Sequence, residues 1–321
     1  MSYSNGRAAD GGVLLCYDGS TESANAIARA GELLRGRSAT VACVWSGLSS
    51  LMLHAPLAGP PTGPLTEGAD MIDEPERERA ERRAAEGVAL ARAAGFEARP
   101  LVLKEERNVW HTLRDYTNGN SIAVMVVGAR GRSRVATVLL GSVSSGLVHH
   151  APAPVLVVPA TANMHAPGPV VFCDDGSDNA RRAVSTGRRL LHGPGLVLSV
   201  WRSWVVNVPY MAVGAGVVVG MAEDLDRTAE EQASSVAGDG AELARATGGD
   251  CSAESVRFDG PIWRGLIDAA NDNQAAAIVV GARGLTGIAN TLGSVSAAVT
   301  HHSPRSVLVV PPAGEPAKEK Q

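Results

Sequence analysis

The sequence predicts an α/β fold built twice in tandem, each copy a parallel sheet with helices on both faces. Three observations carry this. The chain repeats itself: LLCYDGSTESANAIARAGELL (14–34) matches VFCDDGSDNARRAVSTGRRLL (171–191), and VWHTLRDYTNGNSIAVMVVGARG (109–131) matches IWRGLIDAANDNQAAAIVVGARG (262–284). Short, nearly continuous apolar runs alternate with helical segments, which is how strands buried on both faces of a parallel sheet read. The length, 321 residues, suits two domains at about 150 residues each.

In the first half, GVLLCY is the first strand and SANAIARAGELLRG the helix after it. ATVACVW is the second strand, and the helix EPERERAERRAAEGVALARAAG stops at a glycine. EARPLVLK is the third strand. NVWHTLRDYTNG is helical and leads into IAVMVVG, and PVLVVP closes the half. The loops after the second strand, GLSSLMLHAPLAGPPTGPLTEGADMID and RSWVVNVPYMAVGAGVVVGMA, are long, which marks them as lids or interface loops. ATANMHAPG (160–168) is the linker. The domains are therefore 1–160 and 161–321, with 313–321 a disordered polar tail.

Composition excludes several classes. Hydrophobic residues make up 45% and aromatic residues 4%, so each half can bury an aliphatic core. A net charge of −4 leaves no electrostatic footprint for nucleic acid or an anionic membrane. MSYSNGRAADGG lacks an apolar signal core, and the apolar loop 211–222 is too short to span a bilayer. A cytoplasmic protein is expected. Cys16, Cys43, Cys173 and Cys251 form no C-x-x-C pair and read as small buried residues.

The chemistry is expected in GARGRSRVATVLLGSVSS (128–145). Gly128 follows a strand, and ligands of open α/β sheets sit beyond the carboxyl ends of strands. Gly128 and Gly131 permit a sharp turn and close approach to a ligand. After nine intervening residues, Gly141-Ser142-Val143-Ser144 opens a helix whose first N–H groups suit an anion. Ser142 and Ser144 either cap that helix or donate to phosphate, and Arg130, Arg132 and Arg134 add positive charge. No G-K-[ST] or G-x-G-x-x-G is present, so this is neither a P-loop nor a dinucleotide fingerprint.

With the Asp18-Gly-Ser turn, the 128–144 loop and the closing HHAPAPVLVVP, the chain resembles the universal stress protein family, in its tandem two-domain form. The resemblance covers nearly the whole chain. It implies Rossmann-like or flavodoxin-like domains, each a five-stranded parallel sheet of order 3-2-1-4-5, and ATP binding through G-2x-G-9x-G-(S/T). AMP or cyclic AMP in place of ATP, and Mg²⁺ with it, stay open.

Carried over by motif, Cys16, Tyr17 and Asp18 meet adenine and ribose. Trp45 lies beside the base and either stacks on it or crowds it. Val127, Gly128, Arg130 and Gly131 line ribose and phosphates, and Gly141, Ser142, Val143 and Ser144 hold the phosphates. The second half offers Cys173, Asp174, Asp175, Trp201, Val280, Gly281, Arg283, Gly284, Gly293, Ser294, Val295 and Ser296. Only eight residues separate Gly284 from Gly293, a deletion expected to shift the helix start by up to ~3.5 Å. The second site is thus weaker, tuned to another nucleotide, or empty.

Other features have plainer readings. Asp18 and Asp175 suit a helix N-cap or Asx turn as well as a ligand. Trp110 and Trp263 read as core packing. His149-His150 and His301-His302 end helices and point about 100° apart, so they do not share a metal. Residues 74–94 read as a solvated face with local ion pairs. The apolar closing strands predict that the halves dock edge to edge as a pseudo-dimer, with a homodimer through the long loops as a further expectation. The function expected is a nucleotide-dependent regulatory module of the stress response, acting on an unidentified regulatory partner and without a catalytic residue. The alternatives are slow ATP hydrolysis or nucleotidyl transfer, or partner binding with a degenerate second pocket.

Overall fold

The computed structural model describes residues 11–47, 66–131, 140–160, 166–203, 216–282 and 292–313, excluding the side chains of 66–72 and 216–220. The chain divides into two compact units, Met1–Ala160 and Thr161–Gln321. Unit 1 runs β1 (Gly12–Cys16), α1 (Thr21–Leu33), β2 (Ser38–Trp45), α2 (Thr66–Ala93), β3 (Glu97–Lys104), α3 (Val109–Asn118), β4 (Ile122–Gly128), α4 (Ser142–His150) and β5 (Val155–Val158). Unit 2 repeats the order with β6 (Val170–Cys173), α5 (Asp178–Leu190), β7 (Gly195–Trp201), α6 (Gly216–Thr247), β8 (Cys251–Arg257), α7 (Ile262–Asp272), β9 (Ala277–Gly281), α8 (Ser294–His302) and β10 (Ser306–Val310).

All strand pairs within each unit are parallel. Unit 1 has the order β3-β2-β1-β4-β5, with Leu15 opposite Val41 on one side and Val126 on the other. Unit 2 has the order β8-β7-β6-β9-β10. The chain builds β2 and β3 on one side of β1 and then crosses back to place β4 on the other, so a crevice opens at the carboxyl ends of β1 and β4, and likewise of β6 and β9. α1 packs with α2 and α3 with α4; α5 packs with α6 and α7 with α8. The predicted fold class, two Rossmann-like α/β domains, is the one found.

Val13, Leu14, Leu15, Val124 and Met125 are fully buried, as are Val171 and Phe172 of β6. EARPLVLK departs from the expectation of a doubly buried strand. β3 is an edge strand with Pro100 at an exposed position, where a proline costs no ladder bond on its open side. The long loops also shrink. α2 begins at Thr66 and α6 at Gly216, inside segments whose proline and glycine content reads as loop. The remainder of those loops, the linker residues 161–165 and the tail from residue 314 lie outside the described residues.

Trp110 and Trp263 are half-buried rather than core. Each stacks on the second histidine of the neighbouring helix end, Trp110 on His150 at 4.9 Å and Trp263 on His302 at 4.8 Å between ring centroids. A flat indole at a helix start covers a turn of α4 or α8 better than it fills an aliphatic interior. Among the described residues no group of three His, Cys, Asp or Glu side chains could hold a metal ion. The charged face of α2 carries the Arg77–Glu74, Arg79–Glu76 and Arg82–Glu78 pairs, all exposed enough to contribute little.

Candidate functional site

Two loops shape each crevice. The first follows β1. Gly19 has φ of 84° and Gly176 of 80°, a left-handed conformation that glycine adopts without strain. This sharp turn lets Asp18 Oδ1 accept from the Ser20 N–H at 3.0 Å and its Oγ at 2.6 Å, and Asp175 Oδ1 from the Ser177 N–H at 3.1 Å. Both aspartates therefore close Asx turns. The helix caps are Ser20 and Ser177, whose hydroxyls accept from the N–H of Ser23 and Ala180, each at 3.2 Å. The turn holds each carboxylate at the sheet's ligand edge.

The second loop joins β4 to α4. The Ala129 N–H donates to Val158 O at 2.7 Å, and the Gly141 N–H returns to Ala129 O at 2.8 Å. Ser144, a buried residue, donates its hydroxyl to Gly128 O at 2.7 Å. Ser144 thus neither caps the helix nor stands free for a ligand; it pins the helix start to the strand end. Gly131 lies on Asp18: a Cβ added there would sit 2.6 Å from Asp18 Oδ2.

Unit 2 reproduces this geometry. The Ala282 N–H donates to Val310 O at 2.8 Å, the Gly293 N–H to Ala282 O at 2.7 Å and the Ser296 hydroxyl to Gly281 O at 2.6 Å. The one-residue deletion was expected to shift the helix start, and it does not. Anchors at both ends of the loop, at Ala282 and Gly293, fix the helix start. Arg283 and Gly284, like Arg132 and Arg134, lie outside the described residues.

Around these loops lies a cavity of about 340 Å³ in unit 1 and about 570 Å³ in unit 2. Cys16, Tyr17, Asp18, Val127, Gly128, Arg130, Gly131, Gly141, Ser142, Val143 and Ser144 all line the first. Cys173, Asp174, Asp175, Trp201, Val280, Gly281, Gly293, Ser294, Val295 and Ser296 line the second. Trp45 is not brought to the first cavity. It is 8% exposed on the opposite face of β2, with Lys104 Nζ 5.1 Å from its ring centre, while its alternate neighbours Val44 and Ser46 line the cavity. A larger depression, about 740 Å³, lies at the amino ends of the unit 1 strands, where α2 and α3 end rather than begin. It offers no helix N-terminus to an anion.

A family model described as the universal stress protein family matches residues 12–159 and 168–311. The chain belongs to the universal stress protein family. Universal stress proteins of Mycobacterium tuberculosis and Mycobacterium bovis are 39% identical to it over 85 residues, 26% of this chain and 27% of each relative. The aligned segment thus spans about a quarter of those relatives. Among solved structures, a universal stress protein from Archaeoglobus fulgidus aligns with a TM-score of 0.62 at 19% identity, over 94% of this chain and 98% of that one. A functionally unknown protein from Pseudomonas aeruginosa aligns at 0.51 and 12% identity, over 96% and 95%. At such identities the likeness is one of fold.

In this universal stress protein, the cavity walls include residues the sequence reading missed. Arg83 of α2, Ser46 just after β2 and Leu113 of α3 line the first cavity; Ser199, Arg202 and Gln232 line the second. The signal for Ser46 is the strand's period of two. Arg83 lies one turn before Gly87 of α2, a spacing no motif marks. Cys43 and Cys251 are buried as expected, but Cys16 and Cys173 are half-buried cavity residues. Burial pushes both of these thiols up to about 12, helped by the nearby Asp18 in one case and by Asp174 and Asp175 in the other. They stay protonated at neutral pH and are not nucleophiles.

Proposed function

We propose that this universal stress protein binds one adenine nucleotide in each unit and acts as a nucleotide-dependent regulatory module. The observation that supports it is the duplicated cradle: a glycine turn after the fourth strand, a carboxylate beside it, and a pinned helix start facing the crevice. The first N–H groups of α4 and α8 have no partner within their helices, and with the helix dipole they attract phosphate. Arg130 adds positive charge in unit 1. In this reading the base and ribose occupy the carboxyl ends of β1 and β2, against Cys16, Asp18, Ala42 and Val44, and of β6 and β7 in unit 2. ATP is the ligand proposed, with Mg²⁺ arriving on its phosphates.

The test is isothermal titration of the full-length protein with ATP in Mg²⁺, and with AMP and cyclic AMP. The reading predicts saturable binding that reaches two equivalents of ATP per chain. A folded protein that binds none of the three at millimolar concentration overturns it. Docking of the halves through their closing strands, and any homodimer, are proposals resting on the apolar PVLVVP and SVLVVP segments; sedimentation velocity of the whole chain tests the homodimer.

A further inference from the structure

The second cavity continues where the first is closed. In unit 1, Tyr17 precedes Asp18, and its buried ring packs on α2 at Gly87, where an added Cβ would sit 2.8 Å from Tyr17 Cδ1. In unit 2 the equivalent residue, before Asp175, is Asp174. It meets the equivalent helix position, Gly240, where an added Cβ would sit 2.6 Å from Asp174 Oδ2. A carboxylate ends several bonds short of a phenol. The space it leaves is walled by Asp174, Ser199 and Trp201 from the sheet and Gln232, Ala233 and Val236 from α6, all lining the second cavity. Among the described side chains of α2, Arg83 alone lines the first cavity, and its equivalent in α6 is Val236. Trp201 faces the second cavity, whereas Trp45 does not face the first. The volumes, about 570 and 340 Å³, differ accordingly.

Asp174 is unusual within this annex. It is 4% exposed; Oδ1 accepts from the Gly176 N–H at 2.8 Å, while Oδ2 is buried with no hydrogen-bond partner among the described residues. A buried acceptor left unpaired is costly, so a group that donates to it binds with a gain that solvent cannot supply. The wall beside it offers an indole, two small apolar side chains and the Gln232 amide.

We propose that unit 2 carries an annex to its nucleotide pocket, between β7 and α6, that admits an adenine nucleotide enlarged at the base edge. An N–H or O–H of the enlarged base is held against Asp174, and an apolar substituent packs on Trp201 and Val236. Unit 1 has no such room. The inference rests on the nucleotide reading above, which places the base at the strand ends bordering the annex.

The experiment titrates the full-length protein with ATP and with N6-benzyl-ATP, which keeps one N–H at the base edge and adds an aromatic ring. The annex predicts two equivalents of ATP and one of the analogue. Asp174→Tyr, which restores the residue of unit 1, weakens the analogue at least tenfold while ATP still binds in unit 1. Val236→Arg does the same from the opposite wall, and a far-ultraviolet circular dichroism spectrum and thermal midpoint matching wild type show that unit 2 stays folded in each variant. Analogue binding at both sites or at neither, with two ATP sites intact, overturns the annex. So does analogue binding that neither variant weakens. If ATP itself fails to bind, the nucleotide reading falls and the annex with it.

Discussion

Gly131→Ala adds one carbon at the centre of the unit 1 site. That carbon would lie 2.6 Å from Asp18 Oδ2, against a comfortable non-bonded separation of ~3.5 Å. Either the carboxylate or the glycine loop must therefore move by about 0.9 Å. Asp18 is not free to swing, because its other oxygen accepts from the Ser20 N–H at 3.0 Å and from the Ser20 hydroxyl at 2.6 Å. Hydrogen bonds to charged groups contribute about 1.5–3 kcal/mol each, and losing one at this half-exposed turn costs toward the low end of that range. The expected result is a lower thermal midpoint and a fall from two equivalents of ATP to one. Gly141→Ala is the contrast. Among the described residues its added carbon meets nothing closer than Ala129 O at 3.6 Å, so it leaves the fold within about 1 kcal/mol of wild type while obstructing phosphate. Calorimetric titration and thermal unfolding of both variants test this. Two intact ATP sites in folded Gly131→Ala would refute the reasoning about the loop.

The two pins should behave alike. Ser144→Ala and Ser296→Ala each strand a buried carbonyl, at Gly128 or Gly281, and each should cost about 1–3 kcal/mol in unfolding measurements; strongly unequal losses would contradict the equivalence of the cradles. Asp174 sets a pH dependence. Burial raises its carboxyl, so its favourable contribution is present below the unfolded aspartate range and lost as pH rises through the folded value. Asp174→Asn should therefore melt above wild type at pH 7–8, with the gap closing toward pH 4; a gap that widens on acidification would contradict this sign. Cys16 and Cys173, with thiols near 12, should react slowly with a disulfide reagent at pH 8 in the native protein, and a rapid stoichiometric reaction at either would count against it.

The tandem fold was legible because a repeat and a strand–helix alternation survive in the letters themselves. The Asp18-Gly-Ser turn and the spaced glycines were legible because each demands a residue type: a left-handed glycine, a short acceptor, a helix start. Trp45 was not, because a strand's alternation identifies two faces without saying which one meets the ligand. The start of α2 was hidden because Pro75 reads as a first-turn proline, whereas it lies inside a helix that begins at Thr66; that of α6 was hidden by Gly216 and Gly220. The effect of the shortened second loop could not be read from its length, since hydrogen bonds at Ala282, Gly293 and Ser296 fix the helix independently of the residues between. The exchange of Tyr17 for Asp174 is plain in the sequence. Its consequence is not, because the space it opens is bounded by α6, far along the chain.

The central claim is tested most directly by counting the nucleotides that leave the purified, full-length protein when it is saturated with ATP and Mg²⁺, desalted and denatured, with mass spectrometry identifying what is released. The account predicts adenine nucleotide approaching two molecules per chain. No released nucleotide, together with no heat of binding on titration with millimolar ATP, would contradict it.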